Sequence, residues 1–430
     1  MTVRTLIIVP SDLAGPKIGG IESFVKGFIK YAPEDFEIEH IGTTSDFAAR
    51  PVGRWGRVEI GGRPIRMLPI VNDPTPNQRR HIPLDLRFTI CLARYRRRYT
   101  TAGRILQFHR AGTSLPFVLS RCRKIQVVHF NVADVYRLEL GESRWRLLPS
   151  LYHRIDDVTL PAMNRIFVVN RGGVEFYHRR RPKLATRIKF LPTWVDDEIF
   201  APPSATARRN IRAIVRKELS ISGDAALLLF VGRLEAQKDP ILLLQSFARF
   251  ASEPSSAQLL LVGDGSMRVR CETVARALGV AARVHFLNSR SQAEVARLMC
   301  ASDALVSTSA FEGMPISVIE ALATGLPVIA PAVGEIPRLV TTGRSGWVTS
   351  ERTAEAFAAA MAWITGHEAP IALLRTQAIA AAAPYHARQV LDDFYVEHRL
   401  CHSSLKCTSN CHGVLNDVTS TENSDTSSYR

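Results

Sequence analysis

The chain alternates short apolar runs, rich in β-branched and aromatic residues, with longer segments of helical periodicity. Such runs occur at residues 6–9, 105–108, 125–130, 166–169, 188–191, 227–231, 259–262, 284–287, 304–307 and 328–330. The segments between them, such as 83–99 and 145–160, repeat apolar residues every three to four positions. Strands that alternate with helices pair in parallel, because each helix returns the chain to the start of the next strand. The pattern therefore predicts an α/β protein whose parallel sheets carry helices on both faces.

Length and local composition divide this pattern into domains. The 430 residues are enough for two or three domains, and the Pro-, Ala- and Ser-rich stretch 201–210 interrupts the alternation. We predict two doubly wound, Rossmann-like domains at residues 1–200 and 223–385, joined by a linker over 201–222. A C-terminal helix is expected over 386–400. Residues 401–430, rich in Ser, Thr and Asn, are expected to be disordered.

Charge and hydropathy restrict the class of protein. Apolar residues make up 46% of the chain and no run approaches the roughly eighteen that cross a bilayer. The apolar run 6–10 is too brief for a signal peptide, so a cytoplasmic protein is expected. Lys and Arg number 55 against 40 Asp and Glu, a net charge of +15. This excess predicts anionic partners, which are nucleic acid, phosphorylated ligands or an acidic membrane surface. The seven cysteines are scattered, and those of the tail match no zinc spacing, so no metal site is predicted.

Two glutamates eight positions apart mark the most informative segment, STSAFEGMPISVIEA at residues 307–321. A strand ends near Ser307, and Pro315 suits the first turn of a following helix. Gly313 and Met314 then present backbone N–H groups at a helix N-terminus, which favours an anion. Glu312 and Glu320 would lie about 12 Å apart in a helix. Carboxylates at that separation could hold both ends of a nucleotide sugar, although a capping acid and a solvated helix glutamate fit the spacing equally well.

An ordered set of motifs around these glutamates resembles family 4 glycosyltransferases, retaining enzymes of the GT-B architecture. The set includes Glu-x7-Glu itself, VGRL at 231–234 with Gln237 and Lys238 shortly after, LLVGDG at 260–265, VHFL at 284–287, GLPVIA at 325–330 and GEI at 334–336. The resemblance is dense over residues 227–348 and thin in the first half. It implies that the second domain binds the nucleotide sugar and the first domain binds the acceptor. It also implies that the two domains face a central cleft and that the C-terminal helix over 386–400 crosses back to the first domain.

The resemblance also implies roles for individual residues of the second domain. Arg233 and Lys238 would bind the donor diphosphate, Glu320 the ribose and Glu312 the sugar hydroxyls. Each cation 4 Å from a phosphate oxygen contributes on the order of 4 kcal/mol at an effective dielectric near 20. Two cations with the amides of Gly313 and Met314 can therefore stabilise the leaving diphosphate without a metal. Consistent with this, the chain contains no Asp-X-Asp sequence, and no cofactor is expected.

Two features of the first half match the family more weakly. Gly19 and Gly20 open the first predicted helix and resemble the glycine loop that approaches the donor phosphate, although a plain turn explains them equally well. His129 lies near the end of the predicted strand 125–130, where the family places a histidine that contacts the transferred sugar, although a histidine on an apolar strand is also commonly a hydrogen-bonded core residue. One departure follows, because Thr193 and Trp194 stand where the family commonly has Asn-Gly.

Arginines are concentrated in the first half, around a single acid, Asp85. They are Arg79, Arg80, Arg87, Arg94, Arg96, Arg97, Arg98 and Arg104, interleaved with apolar residues, and a second basic cluster spans residues 178–183. A basic amphipathic helix of this kind is typical of a membrane-surface element. A solvated helix face whose arginine stems cover the core remains the alternative.

These observations predict a metal-independent, retaining glycosyltransferase. It would move a hexose from a nucleoside-diphosphate sugar to a saccharide or polyprenyl-linked acceptor, in cell-surface polysaccharide biosynthesis at the inner face of the plasma membrane. A nucleotide-sugar epimerase of the same architecture is the alternative enzyme, and the paired glutamates disfavour it. The charge would also suit a nucleic-acid-binding protein, but the chain has neither zinc-finger spacing nor an aromatic ribonucleoprotein motif.

Overall fold

The computed structural model describes residues 2–15, 19–75, 82–129, 149–222, 225–251, 257–366 and 370–413. The first domain contains the strands β1 (Val3–Ile8), β2 (Phe36–Thr44), β3 (Gly56–Ile60), β4 (Arg63–Asn72), β5 (Ile105–Phe108), β6 (Arg123–Val128), β7 (Arg165–Val168) and β8 (Ile188–Phe190). Its helices are α1 (Gly20–Lys30), α2 (Leu84–Arg94), α3 (Pro149–Thr159) and α4 (Arg171–Arg180). The strands form one sheet in the order β3-β4-β2-β1-β5-β6-β7-β8, in which only the β3–β4 pair is antiparallel.

The second domain contains the strands β9 (Leu227–Val231), β10 (Gln258–Val262), β11 (Val284–Phe286), β12 (Ala304–Val306), β13 (Val328–Pro331) and β14 (Gly346–Thr349). The helices α5 (Ala205–Glu218), α6 (Pro240–Phe250), α7 (Arg268–Ala277), α8 (Gln292–Ala301), α9 (Ile316–Ala323), α10 (Ile336–Leu339), α11 (Ala354–Thr365) and α12 (Ile371–Ala382) surround them, and α13 (Ala387–Gly413) ends the described chain. The sheet is parallel throughout, in the order β11-β10-β9-β12-β13-β14.

The predicted α/β fold class is confirmed, with two parallel-sheet domains whose cores lie on both faces of each sheet. In β1, Ile7 packs in one apolar cluster while Leu6 and Ile8 pack in the other. In β9, Leu229 and Leu228 likewise point to opposite clusters. Buried strands of this kind have apolar residues on both faces, which is why their sequences are continuous apolar runs rather than alternating ones.

Each sheet has a point where the strand order reverses, and the two points position the cleft. In the first sheet the reversal lies between β1 and β5, and in the second between β9 and β12. Loops that leave neighbouring strands in opposite directions at such a point open a crevice at the carboxyl ends of the strands, and ligands of α/β sheets bind there. The predicted glycine motif, Gly19 and Gly20, follows β1, and the predicted glutamate motif, Glu312 and Glu320, follows β12. Both motifs therefore follow strands at these reversals.

The predicted linker contains a helix of the second domain. Helix α5 begins at Ala205, with Ser204 as its N-cap, and its buried Arg208 donates hydrogen bonds to the carbonyl oxygens of Cys300 (3.1 Å) and Thr324 (2.5 Å). The interpretation of the whole stretch 201–222 as a linker is therefore wrong. Arginines that look solvated in the sequence instead satisfy the last carbonyl groups of other helices, α8 and α9.

The C-terminal helix packs against the first domain and is longer than predicted. Leu391 and Phe394 of α13 are fully buried in the core of that domain, and Tyr395 Oη donates to the Phe28 carbonyl oxygen at 2.7 Å. Cys401 is also buried and the helix continues to Gly413. Disorder from residue 401 is therefore wrong for residues 401–413, and residues 414–430 lie outside the described part of the chain.

Candidate active site

The loops after β9 and β12 are bonded to each other at the point where the strand order reverses. Ala310 N donates to Gln237 O at 2.8 Å, and Gln237 Nε2 donates to Phe311 O at 3.1 Å. Thr308 Oγ1 donates to the carbonyl oxygen of Lys238 at 3.0 Å. These bonds hold the residues that follow one strand beside those that follow the other.

Lys238 and Glu312 form an ion pair between these two loops. Lys238 Nζ contacts Glu312 Oε1, and the side chains are 17% and 8% exposed. Asp239, the residue after Lys238, has a left-handed backbone (φ 46°) and caps α6 by accepting from Leu242 N at 3.2 Å. A left-handed non-glycine residue is strained and is retained only where its surroundings enforce it. Here the Asp239 carboxylate, paired with Arg352 at 2.6 Å, holds the turn that presents Lys238 to the cleft.

The turn that leads from Glu312 into α9 packs against a second glycine turn. Glu335 N donates to Gly313 O at 3.0 Å. Gly334 has φ 55°, and a Cβ atom there would collide with the carbonyl oxygens of Glu312 and Gly313. Only glycine fits this close approach. Pro315 occupies the N-cap position immediately before α9 rather than its first turn.

Glu320 lies on α9, five residues beyond Pro315, with its side chain buried. Burial, together with the negative charge of Asp196, raises the pKa of the Glu320 carboxyl to about 8. None of the residues that the structure describes forms a hydrogen bond with this side chain. A buried charged carboxylate without a partner is costly in the folded protein, so Glu320 is mainly protonated at neutral pH.

The first domain reaches the same place through three contacts. A Cβ atom at Gly20, the first residue of α1, would lie 3.7 Å from Ile316 Cδ1 at the start of α9. Thr193 N donates to the Met314 sulfur at 3.2 Å. Arg171 N, at the start of α4, donates to Glu335 Oε1 at 2.6 Å. The start of α1 therefore lies beside the start of α9, and the predicted Gly20 and Met314 both lie where the two domains meet. Gly19 and Gly313 are the residues that precede them in the chain.

His129 lies on the first-domain side, just after β6. Its Nε2 is 2.8 Å from His109 Nδ1, and its ring meets Phe24 of α1 edge-on at 4.8 Å between centroids. Burial, with the positive charge of Arg110 nearby, lowers the pKa of His129 to about 3. The imidazole is therefore neutral at physiological pH and can act as a hydrogen-bond donor or acceptor, but not as a cation.

Arg233 is placed differently from Lys238. Its side chain is exposed, and its guanidinium lies 3.4 Å from Gln237 Oε1. The second predicted cation of the donor site is therefore exposed to solvent, whereas Lys238 is largely buried in its pair with Glu312.

Sequence reasoning did not assign a role to several residues that build this cleft. Glu335 bridges the domains, and the only sequence feature that pointed to it was its place in the Gly-Glu-Ile motif.

Trp194 departs from the pattern of the family, and the structure explains this departure. The Trp194 ring packs on Phe24 at 3.7 Å between centroids, and a Cβ atom at Gly27 would lie 2.5 Å from its indole nitrogen. Trp194 thus fills a hole over α1 that exists because residue 27 is glycine.

Comparisons with known proteins agree with this architecture. Residues 211–382 match the family "Glycosyl transferases group 1". The D-inositol 3-phosphate glycosyltransferase of Corynebacterium urealyticum is 31% identical over 208 residues, which are 47% of this chain and 47% of that protein. The chain thus matches about half the length of this curated relative.

Solved structures match over nearly the whole chain. The sucrose-phosphate synthase of Thermosynechococcus elongatus superposes with a TM-score of 0.75 and 19% identity, over 94% of this chain and 100% of that one. HepE of Anabaena, solved with UDP and glucose, superposes with a TM-score of 0.70 and 15% identity, over 92% and 99%.

The two α/β domains have the GT-B fold of these solved structures. The match of residues 211–382 to the group 1 glycosyltransferases covers every motif of the second domain quoted above. The family predicted from the motifs is confirmed.

Proposed function

We propose that the protein is a retaining, metal-independent glycosyltransferase that moves a hexose from a nucleoside-diphosphate sugar to a saccharide or lipid-linked acceptor. The observation that carries the proposal is the Lys238–Glu312 pair at the strand reversal of the second domain. It provides a cation for the diphosphate and a carboxylate for hydroxyl groups within one side-chain length of each other. The glycine start of α1 faces the same turn, so a ligand there would contact both domains.

The chemistry requires that charge on the leaving diphosphate be stabilised as the bond from the anomeric carbon to the phosphate oxygen breaks. Lys238 would contact the diphosphate inside the cleft, and the exposed Arg233 would contact it from the solvent side. The backbone N–H groups of Gly313 and Met314 lie just before α9, where the helix dipole favours negative charge. Preorganised positive groups of this kind stabilise charge that develops in the transition state.

The sugar and the nucleoside would be held by the remaining groups. Glu320 would accept hydrogen bonds from the two ribose hydroxyls, Glu312 would bind hydroxyls of the hexose, and His129 would contact the hexose from the first domain. For transfer with retention, the acceptor oxygen would attack the face that the diphosphate leaves. The departing phosphate oxygen would take the proton of the acceptor hydroxyl. HepE, which has the same fold and was solved with UDP and glucose, supports a sugar nucleotide as the donor.

An experiment with nucleotide sugars tests the proposal directly. A panel of UDP-, GDP- and ADP-sugars is expected to contain a donor that raises the melting temperature of the protein. A ligand at about 100 times its Kd adds about 2.7 kcal/mol to the unfolding free energy. That donor should then label an acceptor, whereas an epimerase would convert it to another sugar without an acceptor. Absence of any shift, together with a salt-sensitive shift by random DNA, would contradict the proposal and favour nucleic-acid binding.

Transfer is expected to continue in excess EDTA. Lys238, Arg233 and the amides before α9 together supply the positive field that a divalent cation supplies elsewhere. The measurement is the transfer rate before and after dialysis against EDTA, with Mg²⁺ added back as the control. A rate that disappears with EDTA and returns only with Mg²⁺ would contradict this account of the leaving group.

We further propose that the first domain binds an anionic membrane surface at the inner face of the plasma membrane through α2. The structure divides the apolar residues of this helix into two faces. Phe88 and Leu92 are fully buried, whereas Leu86 and Ile90 are 52% and 60% exposed, and the arginines that follow are exposed as well. Leu119, after the 3₁₀ helix Ala111–Phe117 that packs against α2, is 97% exposed. An exposed apolar stripe bordered by arginines suits a bilayer interface with acidic headgroups.

Within the described residues, no helix is both long and apolar enough to cross a bilayer. Binding through α2 would therefore place the cleft beside the membrane without insertion of that helix across it. A polyprenyl-linked acceptor and a role in cell-surface polysaccharide biosynthesis are compatible with such a position. Arg79 and Arg80 of the predicted basic segment lie outside the described residues.

Replacing Arg94, Arg96, Arg97 and Arg98 with Gln is expected to weaken binding to anionic vesicles at least about fivefold, since each basic residue near such a surface contributes up to about 1 kcal/mol. Sedimentation with vesicles of phosphatidylglycerol and phosphatidylcholine measures the effect. The matched control replaces the exposed arginines Arg209, Arg270, Arg276 and Arg344 of the second domain. Equal binding by both variants would contradict the membrane proposal and leave the enzymatic one standing.

A further inference from the structure

A continuous row of polar side chains crosses the core of the first domain from the cleft to α13. His129 Nε2 lies 2.8 Å from His109 Nδ1, and His109 Nε2 lies 2.9 Å from the side-chain amide of Gln107. Gln107 Oε1, at the other end of that amide, lies 2.8 Å from His398 Nε2. His398 Nδ1 ends the row 2.8 Å from Phe394 O. Four side chains from β5, the loops after β5 and β6, and α13 thus form one hydrogen-bonded row.

The histidines of this row are neutral. Burial lowers the pKa of His398 to about 4, and burial together with the neighbouring His129 lowers the pKa of His109 well below its usual value. His398 is enclosed by aromatic rings, with Phe394 edge-on at 4.6 Å and Phe28 at 5.1 Å between centroids. A neutral imidazole has one N–H donor and one bare nitrogen acceptor, so the hydrogen atoms along the row can be assigned.

The assignment starts at the α13 end. Phe394 O is a carbonyl oxygen and can only accept, so His398 Nδ1 carries the proton and His398 Nε2 is an acceptor. The structure places Gln107 Nε2 beside His109 and Gln107 Oε1 beside His398. Since His398 Nε2 is an acceptor, these two amide atoms must be exchanged, so that the NH₂ group faces His398 and the carbonyl oxygen faces His109. The opposite orientation of the amide would need protons on both nitrogens of His398, a buried cation among phenylalanines. The oxygen and nitrogen of a glutamine amide have nearly the same shape, so hydrogen bonding decides between the two orientations.

The rest of the row follows from this orientation. His109 Nε2 donates to the Gln107 oxygen, which leaves His109 Nδ1 as an acceptor for the proton on His129 Nε2. His129 Nδ1 then carries no proton. Among the described residues, none bonds to His129 Nδ1, and the residue is the one member of the row that is partly exposed.

We propose that Gln107, His109 and His398 are positioning residues that fix His129 in one tautomer, so that its bare Nδ1 accepts a hydrogen bond from a ligand hydroxyl in the cleft. The identification of this hydroxyl as one of the transferred hexose rests on the proposed function. The assignment of the His129 tautomer does not depend on the proposed function. Docking of α13 on the first domain thereby becomes part of the active site, since it supplies the carbonyl oxygen that determines every other proton of the row.

Histidine NMR tests the proposal on the whole protein without any substrate. With ¹⁵N-labelled histidine, two-bond ¹H–¹⁵N correlations distinguish a protonated from a bare ring nitrogen, and the His129 signals are those missing from a His129→Asn variant. At pH 7 we expect His129 with a protonated Nε2 and a bare Nδ1. A proton on Nδ1, alone or in addition, would overturn the proposal.

A His398→Phe variant tests the connection over the length of the row. Phenylalanine matches the aromatic surroundings of residue 398 but accepts nothing from Gln107, so the amide is expected to adopt both orientations and His129 to become a mixture of tautomers. The matched control is His285→Phe, which removes a histidine that likewise lies 2.8 Å from a glutamine side-chain amide, that of Gln258 in the second domain. A His129 pattern that is unchanged in His398→Phe would overturn the proposal. If that variant does not fold, the measurement on the wild-type protein decides.

Kinetics separate this proposal from the proposed function. With an active donor, His398→Phe is expected to lower kcat about tenfold, the value of one hydrogen bond made in the transition state, with little change in KM for the acceptor. An unchanged kcat despite a mixed tautomer would overturn the inferred contact with the hexose. If no donor supports transfer at all, the proposed function fails, while the NMR result still decides the tautomer.

Discussion

Replacing Lys238 with Ala is expected to lower kcat/KM for the nucleotide sugar about 10²–10³-fold, the cost of removing one preorganised charge-stabilising group. Two effects add in this variant. The diphosphate loses its cation inside the cleft, and Glu312, which pairs with Lys238 in the unliganded protein, is left as a buried carboxyl group that repels the incoming phosphate. The measurement is the initial rate of transfer over a range of donor concentrations.

Two further variants make the result specific to Lys238. Lys217→Ala removes an exposed lysine from α5 of the same domain and should keep the wild-type rate. The double variant Lys238→Ala with Glu312→Gln should recover part of the donor affinity, because the unpaired negative charge is gone. A rate near that of the wild-type protein in a well-folded Lys238→Ala variant would remove this residue from the donor site.

Replacing Glu320 with Ala is expected to weaken donor binding about 10- to 100-fold, since hydrogen bonds to a charged group contribute about 1.5–3 kcal/mol. The pH dependence identifies the role. In the unliganded protein the pKa of Glu320 is raised to about 8, whereas two ribose hydroxyls that donate to it would favour the carboxylate. Binding must then release a proton below pH 8, so donor affinity should rise as the pH increases from 6 to 8 and level off above it.

Calorimetry in buffers of different ionisation enthalpy measures that proton release. Glu320→Gln should bind the donor with no pH dependence over this range, while Glu351→Ala, at an exposed position, should behave as the wild-type protein. Affinity that is equal in Glu320→Gln and the wild-type protein at pH 8 would contradict the assignment of Glu320 to the ribose.

Much of the fold follows from the sequence because buried parallel strands have a direct signature. Strand β9 occupies the residues of the predicted run, and β10 to β13 agree with theirs to within one residue at each end. Such strands lie between helices on both faces, so nearly every position must be apolar. The position of Lys238 beside the Glu312 segment has the same origin, since loops that follow adjacent parallel strands meet at one edge of the sheet.

Strands β2 to β4 were not predicted, and their polar residues explain why. Glu39, in the middle of β2, is buried and pairs with Arg66 at 2.9 Å and Arg104 at 2.8 Å. His40 beside it is also buried. A buried charge is acceptable only when its partners are in place, and these partners come from β4 and from the segment before β5. No local pattern contains that information.

The sequence by itself determined the α/β class, the family of the second domain and the set of charged residues near its strand ends, because each of these depends on residue types at short separations. Only the tertiary structure decided that α5 belongs to the second domain, that Trp194 fills the space above Gly27, and that His398 is hydrogen-bonded to Gln107. The physical reason is that burial, ion pairing and proton position depend on what surrounds a side chain. Those surroundings come from residues as far apart as 107 and 398 in the chain.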